Sequence, residues 1–122
     1  MTKIVHFEIP VDDTGKSKAF WGGLFGWQFE AYPGPSEYHM ARIDDESGVA
    51  ISQEPGKRGP RSYFDVDDIQ SGAAKVRDLG GESSDPMPVP GFGWFATCKD
   101  DQGNDFGLWQ SDPEAPTPEP SQ

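Results

Sequence analysis

Basic residues, cysteine and long apolar runs are scarce in this chain, and each shortage removes a class of function. Ten Lys plus Arg stand against 21 Asp plus Glu, a formal net charge of −11, so nucleic acid and acidic membrane surfaces are repelled. Neither is expected as a partner; a small molecule is. The single cysteine, Cys98, excludes an intrachain disulfide. Apolar stretches are too short for a signal peptide or a membrane span, which makes the cytoplasm the expected location. At 122 residues the chain has the length of one domain, and neither half alone would bury a dependable core.

What is present is a repeat. Val11-Asp12-Asp13 followed by Leu24-Phe25-Gly26 returns as Val66-Asp67-Asp68 followed by Leu79-Gly80-Gly81, and an offset of 55 separates Asp13 from Asp68 and Leu24 from Leu79. A fixed period near half the chain length is the mark of a duplicated supersecondary unit. Alternation predicts a strand over Lys3–Ile9, with Val5, Phe7 and Ile9 on one face, His6 and Glu8 on the other, and Pro10 closing it. Asp13 is placed as a helix N-cap, and Phe20, Trp21, Leu24 and Phe25 recur at helical spacing up to Gly26. Phe20, Trp21, Phe25 and Trp27 are assigned mostly to the core. Strands are predicted over Trp27–Tyr32, Tyr38–Ile43 and Gly48–Gln53, a hinge over Pro55–Pro60, and then a second round. It consists of a strand over Arg61–Val66, a helix capped by Asp68 that buries Ile69, Ala73, Val76 and Leu79, and strands over Trp94–Lys99 and Asp105–Gln110. The weakest strand signal lies in the Pro-rich passage Pro86–Pro90.

The predicted fold class is α+β: two tandem βαβββ modules, residues 1–55 and 56–110, within one domain spanning 1–110. The Pro-rich acidic tail, 111–122, is predicted to be disordered. The paired aspartates fall at helix starts and hairpins, where Asp is favoured for local backbone reasons rather than as a cation ligand.

The duplicated unit, the opening Val5-His6-Phe7-Glu8-Ile9, the helix end Phe20-Trp21-(x)2-Leu24-Phe25-Gly26-Trp27 and the closing run from Gly103 to Gln110 together resemble the vicinal-oxygen-chelate superfamily. That is the fold of glyoxalase I, bleomycin-resistance proteins and extradiol dioxygenases. The resemblance implies a cupped mixed sheet with helices outside, and commonly a homodimer, with the modules paired within one chain or swapped between two. In metal-dependent members it places a histidine on each module's first strand and acidic residues or histidines on each closing strand. His6 meets the first position, but the offset of 55 puts Arg61 at its counterpart. Aligning Gln53 with Gln110, an offset of 57, puts Ala50 and Gly107 where the closing ligands stand. Of these four positions only His6 can bind a metal, and Arg61 would set a permanent positive charge at the site. No metal and no other cofactor is therefore expected, unless His6 and Glu8 recruit Asp65, His39 or Cys98.

By alternation the cup is lined by His6, Glu8, Ala50, Ser52, Arg61, Tyr63, Asp65, Gly107 and Trp109, with open volume at Ala50 and Gly107 and with Trp94 available to stack on a ligand. Arg61 either reads a carboxylate or phosphate on that ligand or pairs with Glu8 or Asp65. His6 and Glu8 are the best catalytic candidates if there is catalysis, His6 being otherwise a hydrogen-bonded part of the wall. Cys98 is read as a small buried thiol. The leading expectation is a metal-free, glyoxalase- or bleomycin-resistance-like protein binding a small, partly aromatic or anionic molecule. The alternatives are a divalent-metal-dependent lyase or dioxygenase with a displaced site, and an interaction partner with a closed cup.

Overall fold

Both helices start where the repeated Asp-Asp pairs put them. In the computed structural model, which describes residues 2–117, α1 spans Thr14–Phe25 and α2 spans Ile69–Asp78. Asp13 accepts the Lys16 amide and Asp68 the Ser71 amide, each from an extended backbone, so the two caps are copies of one device. Gly26 ends α1 at φ 73°, a left-handed conformation that suits glycine.

The chain forms two compact units, Val5–Ser62 and the described residues of Met1–Ile4 with Tyr63–Gln122. In the first, β1 (Ile4–Val11), β2 (Glu30–Ala31), β3 (Tyr38–Arg42) and β4 (Gly48–Gln53) lie in the order β2-β3-β4-β1, with β1 and β4 parallel and β3 and β4 antiparallel. In the second, β5 (Arg61–Asp65), β6 (Glu82–Ser83), β8 (Gly93–Lys99) and β9 (Asp105–Ser111) repeat that order as β6-β8-β9-β5, and β7 (Met87–Val89) also pairs with β8. β5 and β9 are parallel, β8 and β9 antiparallel. The fold class is α+β, and the duplication read from the sequence is a duplication of topology.

Several expected boundaries move. Pro10 does not end β1: the ladder continues through Pro10 opposite Ser52 and Val11 opposite Gln53, because near a strand end the ladder survives one missing donor. Of the strand expected over Trp27–Tyr32, only Glu30–Ala31 is paired. Residues after 110 are not all tail. Ser111 ends β9, the Asp112 amide donates to Phe92 O, the Gly91 amide to Ala115 O, and Ala115 is buried. Residues 118–122 of the predicted tail lie outside the described part.

In the second unit the core gathers Ile69, Ala96, Cys98 and Leu108, with Phe64, Val76, Trp94 and Phe106 packed against it. Leu79, expected on the buried stripe of α2, is 70% exposed, because α2 ends at Asp78 and the C-cap turn carries Leu79 off that face. In the first unit Val49 and Ile51 are fully buried. There Trp27 contacts Phe7 and Phe25, and Trp21 stacks on Trp27. Phe20 and Phe25 were expected in the core but are 61% and 56% exposed. At 100° per residue Phe20, Leu24, Trp21 and Phe25 spread over about 140° of α1, wider than the side centred on Thr14 and Trp21 that meets the sheet.

Candidate functional site

Register fixes which side chains share a face. In the first unit His6 lies opposite Gly48, Glu8 opposite Ala50 and Pro10 opposite Ser52, while β3 adds Tyr38 opposite Ser52 and Met40 opposite Ala50. Since directly paired residues point to the same side of a sheet, His6, Glu8, Ala50, Ser52 and Tyr38 occupy one face, opposite the one that buries Val49 and Ile51.

That face carries a connected polar chain. Tyr38 Oη donates to Glu8 Oε2 at 2.6 Å, and His6 Nε2 lies 2.9 Å from Tyr38 Oη. A phenol has one proton, so once it goes to the carboxylate the imidazole must donate from Nε2, which sets the tautomer of neutral His6. Arg61 holds Glu8 Oε1 through Nη2 at 2.7 Å and Nε at 3.3 Å, and it forks onto Glu54 through Nη1 at 2.9 Å and Nη2 at 2.5 Å. Ser52 hydrogen-bonds Glu54 in turn. Glu8 is only 9% exposed, and a carboxylate so buried needs this arginine.

The electrostatics follow from those contacts. Hydrogen bonding to Glu54 and Glu8 holds Arg61 more firmly protonated than usual, against the opposing effect of burial. The Arg61 hydrogen bond keeps Glu54 below the ordinary carboxylate range. Burial pushes His6 below the ordinary histidine value, with Glu8 pulling the other way. At neutral pH Glu54 is therefore ionised, Arg61 charged and His6 a neutral imidazole.

In the second unit Tyr63 pairs with Gly107 and Asp65 with Trp109 on one face. Open volume is expected at Gly107, and Tyr63 closes it: a Cβ on Gly107 would lie 2.3 Å from two carbons of the Tyr63 ring. Ala50 holds the equivalent place in the first unit, opposite Glu8, and is completely buried. In both copies a small residue on the closing strand makes room for a larger one on the first strand. Asp65 is exposed. Trp94, paired with Gln110, shares the Ala96 and Cys98 face that packs on α2, so it stands apart from Trp109. With Asp67, Asp68, Gln70 and Gln110 it lines a cavity of about 410 Å³ at the start of α2, and its indole N–H donates to Asp112. Cys98 is buried against Ser83, and burial raises its thiol pKa.

A divalent cation does not suit the donors around His6. Its Nε2 is engaged by Tyr38, Glu8 is neutralised by Arg61, and Arg61 sets a positive charge beside both. His39 is on the other face of β3, near Glu37 and Thr14. Among the described residues no three His, Cys, Asp or Glu side chains are grouped as metal ligands would be. Two members of the polar chain, Tyr38 and Glu54, are absent from the residues expected by sequence. Tyr38 shares its parity with Met40 on a predicted strand and was findable once β3 was registered on β4; Glu54 lies just past β4, where alternation says nothing.

Comparison with known proteins agrees with this architecture. The family model described as Bleomycin resistance protein-like N-terminal matches residues 3–45. The chain is 29% identical over 114 residues to the Mycobacterium tuberculosis protein named "Putative glyoxylase CFP32", covering 85% of this chain and 44% of that protein. It thus spans less than half the length of that relative. It is also 29% identical over 121 residues to a glyoxylase-like domain-containing protein of Didymella fabae, covering 87% of this chain and 91% of that one. A Streptomyces coelicolor methylmalonyl-CoA epimerase variant in complex with 2-nitronate-propionyl-CoA superimposes with a TM-score of 0.76 at 17% identity, over 96% of this chain and 99% of that one. At that identity the likeness is one of fold. The repeated topology, the family match over residues 3–45 and these relatives agree with the resemblance to the vicinal-oxygen-chelate superfamily seen in the sequence.

Proposed function

We propose that this chain is a glyoxalase- and bleomycin-resistance-like protein that binds a small, partly aromatic molecule without a metal, acting in the cytoplasm as a homodimer. The observation that carries the metal-free reading is the pairing of Arg61 with Glu8 and of Tyr38 with His6. These contacts commit the one retained ligand position, and the carboxylate beside it, to the protein's own groups. The aromatic half of the ligand is supported by Trp109, half-buried and close to Gly93. The anionic half is the weaker one, since Arg61 already holds two carboxylates; an anion would have to displace Glu54, the more exposed of them.

The competing reading, a divalent-metal-dependent lyase or dioxygenase, draws its support from the names of the glyoxylase-like relatives. Metal analysis of protein purified without chelator separates the two. The metal-free reading expects Zn, Ni, Mn and Fe far below one per chain, and one tightly held equivalent overturns it. Tryptophan fluorescence titrated with small aromatic compounds and a CoA thioester then tests for a ligand. Quenching by any of them that Trp109→Leu abolishes is expected, and no quenching across the panel favours a closed, non-binding face.

A further inference from the structure

Helix α1 carries a second apolar side that the described residues leave uncovered. Thr14 is its one buried residue and Trp21 is half-buried, so that side faces the sheet, while Phe20 and Leu24 are 61% and 58% exposed. At about 100° per residue, Lys16, Phe20 and Leu24 form one i, i+4 row, and Ala19 and Gly23 form the low row beside it. A Cβ added to Gly23 would meet nothing within 4 Å. Among the described residues nothing therefore needs a glycine there, although a glycine inside a helix weakens it.

We propose that this face packs antiparallel on the same face of a second copy of the chain, the Phe20–Leu24 ridge of one seated over the Ala19–Gly23 groove of the other. The inference deepens the homodimer proposed above and rests on it. Two arguments single out a second copy. Each copy carries a net charge of −11, so two copies repel over most of their surface; α1 from Thr14 to Phe25 contains lysines and no carboxylate. The last turn of α1 also has no basic residue to meet its exposed carbonyls, and an antiparallel partner brings its own Lys16 to that end, where a cation is favoured. Phe20 and Leu24, 61% and 58% exposed, leave on the order of 240 Å² of apolar surface per copy, at about 200 Å² for each side chain. That is a substantial share of the roughly 800 Å² per partner found in specific interfaces, and it is self-complementary, as a two-fold contact requires.

Sedimentation equilibrium of the full chain, wild type and two variants, tests this. Leu24→Glu puts a charge on the exposed ridge, and Gly23→Leu fills the groove while favouring the helix in the monomer. The wild type is expected to dimerise, and each variant is expected to raise the dissociation constant at least about tenfold with unchanged helicity by circular dichroism. A monomeric wild type overturns the homodimer itself, including the case in which residues 118–122 or another protein cover α1. A wild-type dimer that persists unchanged in both variants overturns only the α1 interface. Loss of helicity in Leu24→Glu leaves Gly23→Leu to decide.

Discussion

Replacing Glu8 with Gln tests the polar chain at its centre. The substitution keeps the volume and removes one charge. In the native protein Glu8 takes two hydrogen bonds from Arg61 and one from Tyr38, while its residue is only 9% exposed. Bonds to a charged partner are each worth about 1.5–3 kcal/mol, and breaking a fully buried ion pair costs about 3–5 kcal/mol. Two features pull the expected cost toward the lower end. Arg61 keeps Glu54 as a second carboxylate, and its side chain retains 18% exposure. A loss of about 2 kcal/mol in folding free energy is expected, read as a lower urea midpoint at unchanged slope. Glu54→Gln is the internal comparison: its side chain is 27% exposed and makes no bond to Tyr38, so about half that loss is expected. The double variant should cost more than the sum, since Arg61 would then lose both carboxylates. A loss under about 0.5 kcal/mol for Glu8→Gln, or equal losses for both single variants, would refute the claim that Glu8 is the buried centre of the cluster.

Acidification tests His6. Its folded pKa is depressed by burial, so below about pH 6.5 the unfolded chain binds a proton that the folded one resists. The stability contributed by neutral His6 is present above that pH and is lost as pH falls through the folded value, at up to about 1.4 kcal/mol per pH unit; urea melts from pH 7.5 to 5 should show the decline, and His6→Gln should flatten it. Glu54, also depressed, gives a separate loss below its unfolded value near pH 4.5, which distinguishes the two. Gly107→Ala drives a methyl group into the Tyr63 ring and should destabilise by about 1–3 kcal/mol in thermal melts; if so, the cost of Gly107→Ala should shrink in a Tyr63→Ala background, and equal cost in both backgrounds would refute the packing account.

Much of the fold could be read because the local chemistry was redundant. Asp13 and Asp68 announce helices on their own account, and their common spacing to Leu24 and Leu79 ties the two units together before any strand is placed. β4 could be bounded because five of its six residues are apolar or small, all but Gln53, and turn residues flank it. Alternation also placed His6, Glu8 and Ser52 on the face where they lie. It failed where contacts between strands decide. Whether Gly107 leaves a hollow depends on which residue the parallel neighbour sets opposite it, and that residue is the ring of Tyr63. Arg61 was left between a ligand and a carboxylate because the second carboxylate, Glu54, sits beyond the end of a strand, outside any periodic pattern. Trp94 was grouped with Trp109 by residue type, although one step of parity sends it to the α2 face. Helix α1 was misjudged for the opposite reason: apolar residues at helical spacing suggest a buried face, but Phe20 and Phe25 stay 61% and 56% exposed.

The first few residues of the chain cluster with the second unit, where the Asp65 amide donates to Lys3 O. That single bond spans 62 residues, from 3 to 65. On a ribosome, Lys3 emerges well before Asp65 and waits for 62 further residues before it finds that partner. Closing so long a loop costs little more in free energy than closing a short one but slows the search. The second unit therefore cannot be produced whole by starting synthesis at the hinge. A fragment beginning at Pro55 would lack an N-terminal piece made half a chain earlier, and a circular permutant opened within the hinge would have to keep that piece covalently attached to fold at the native rate.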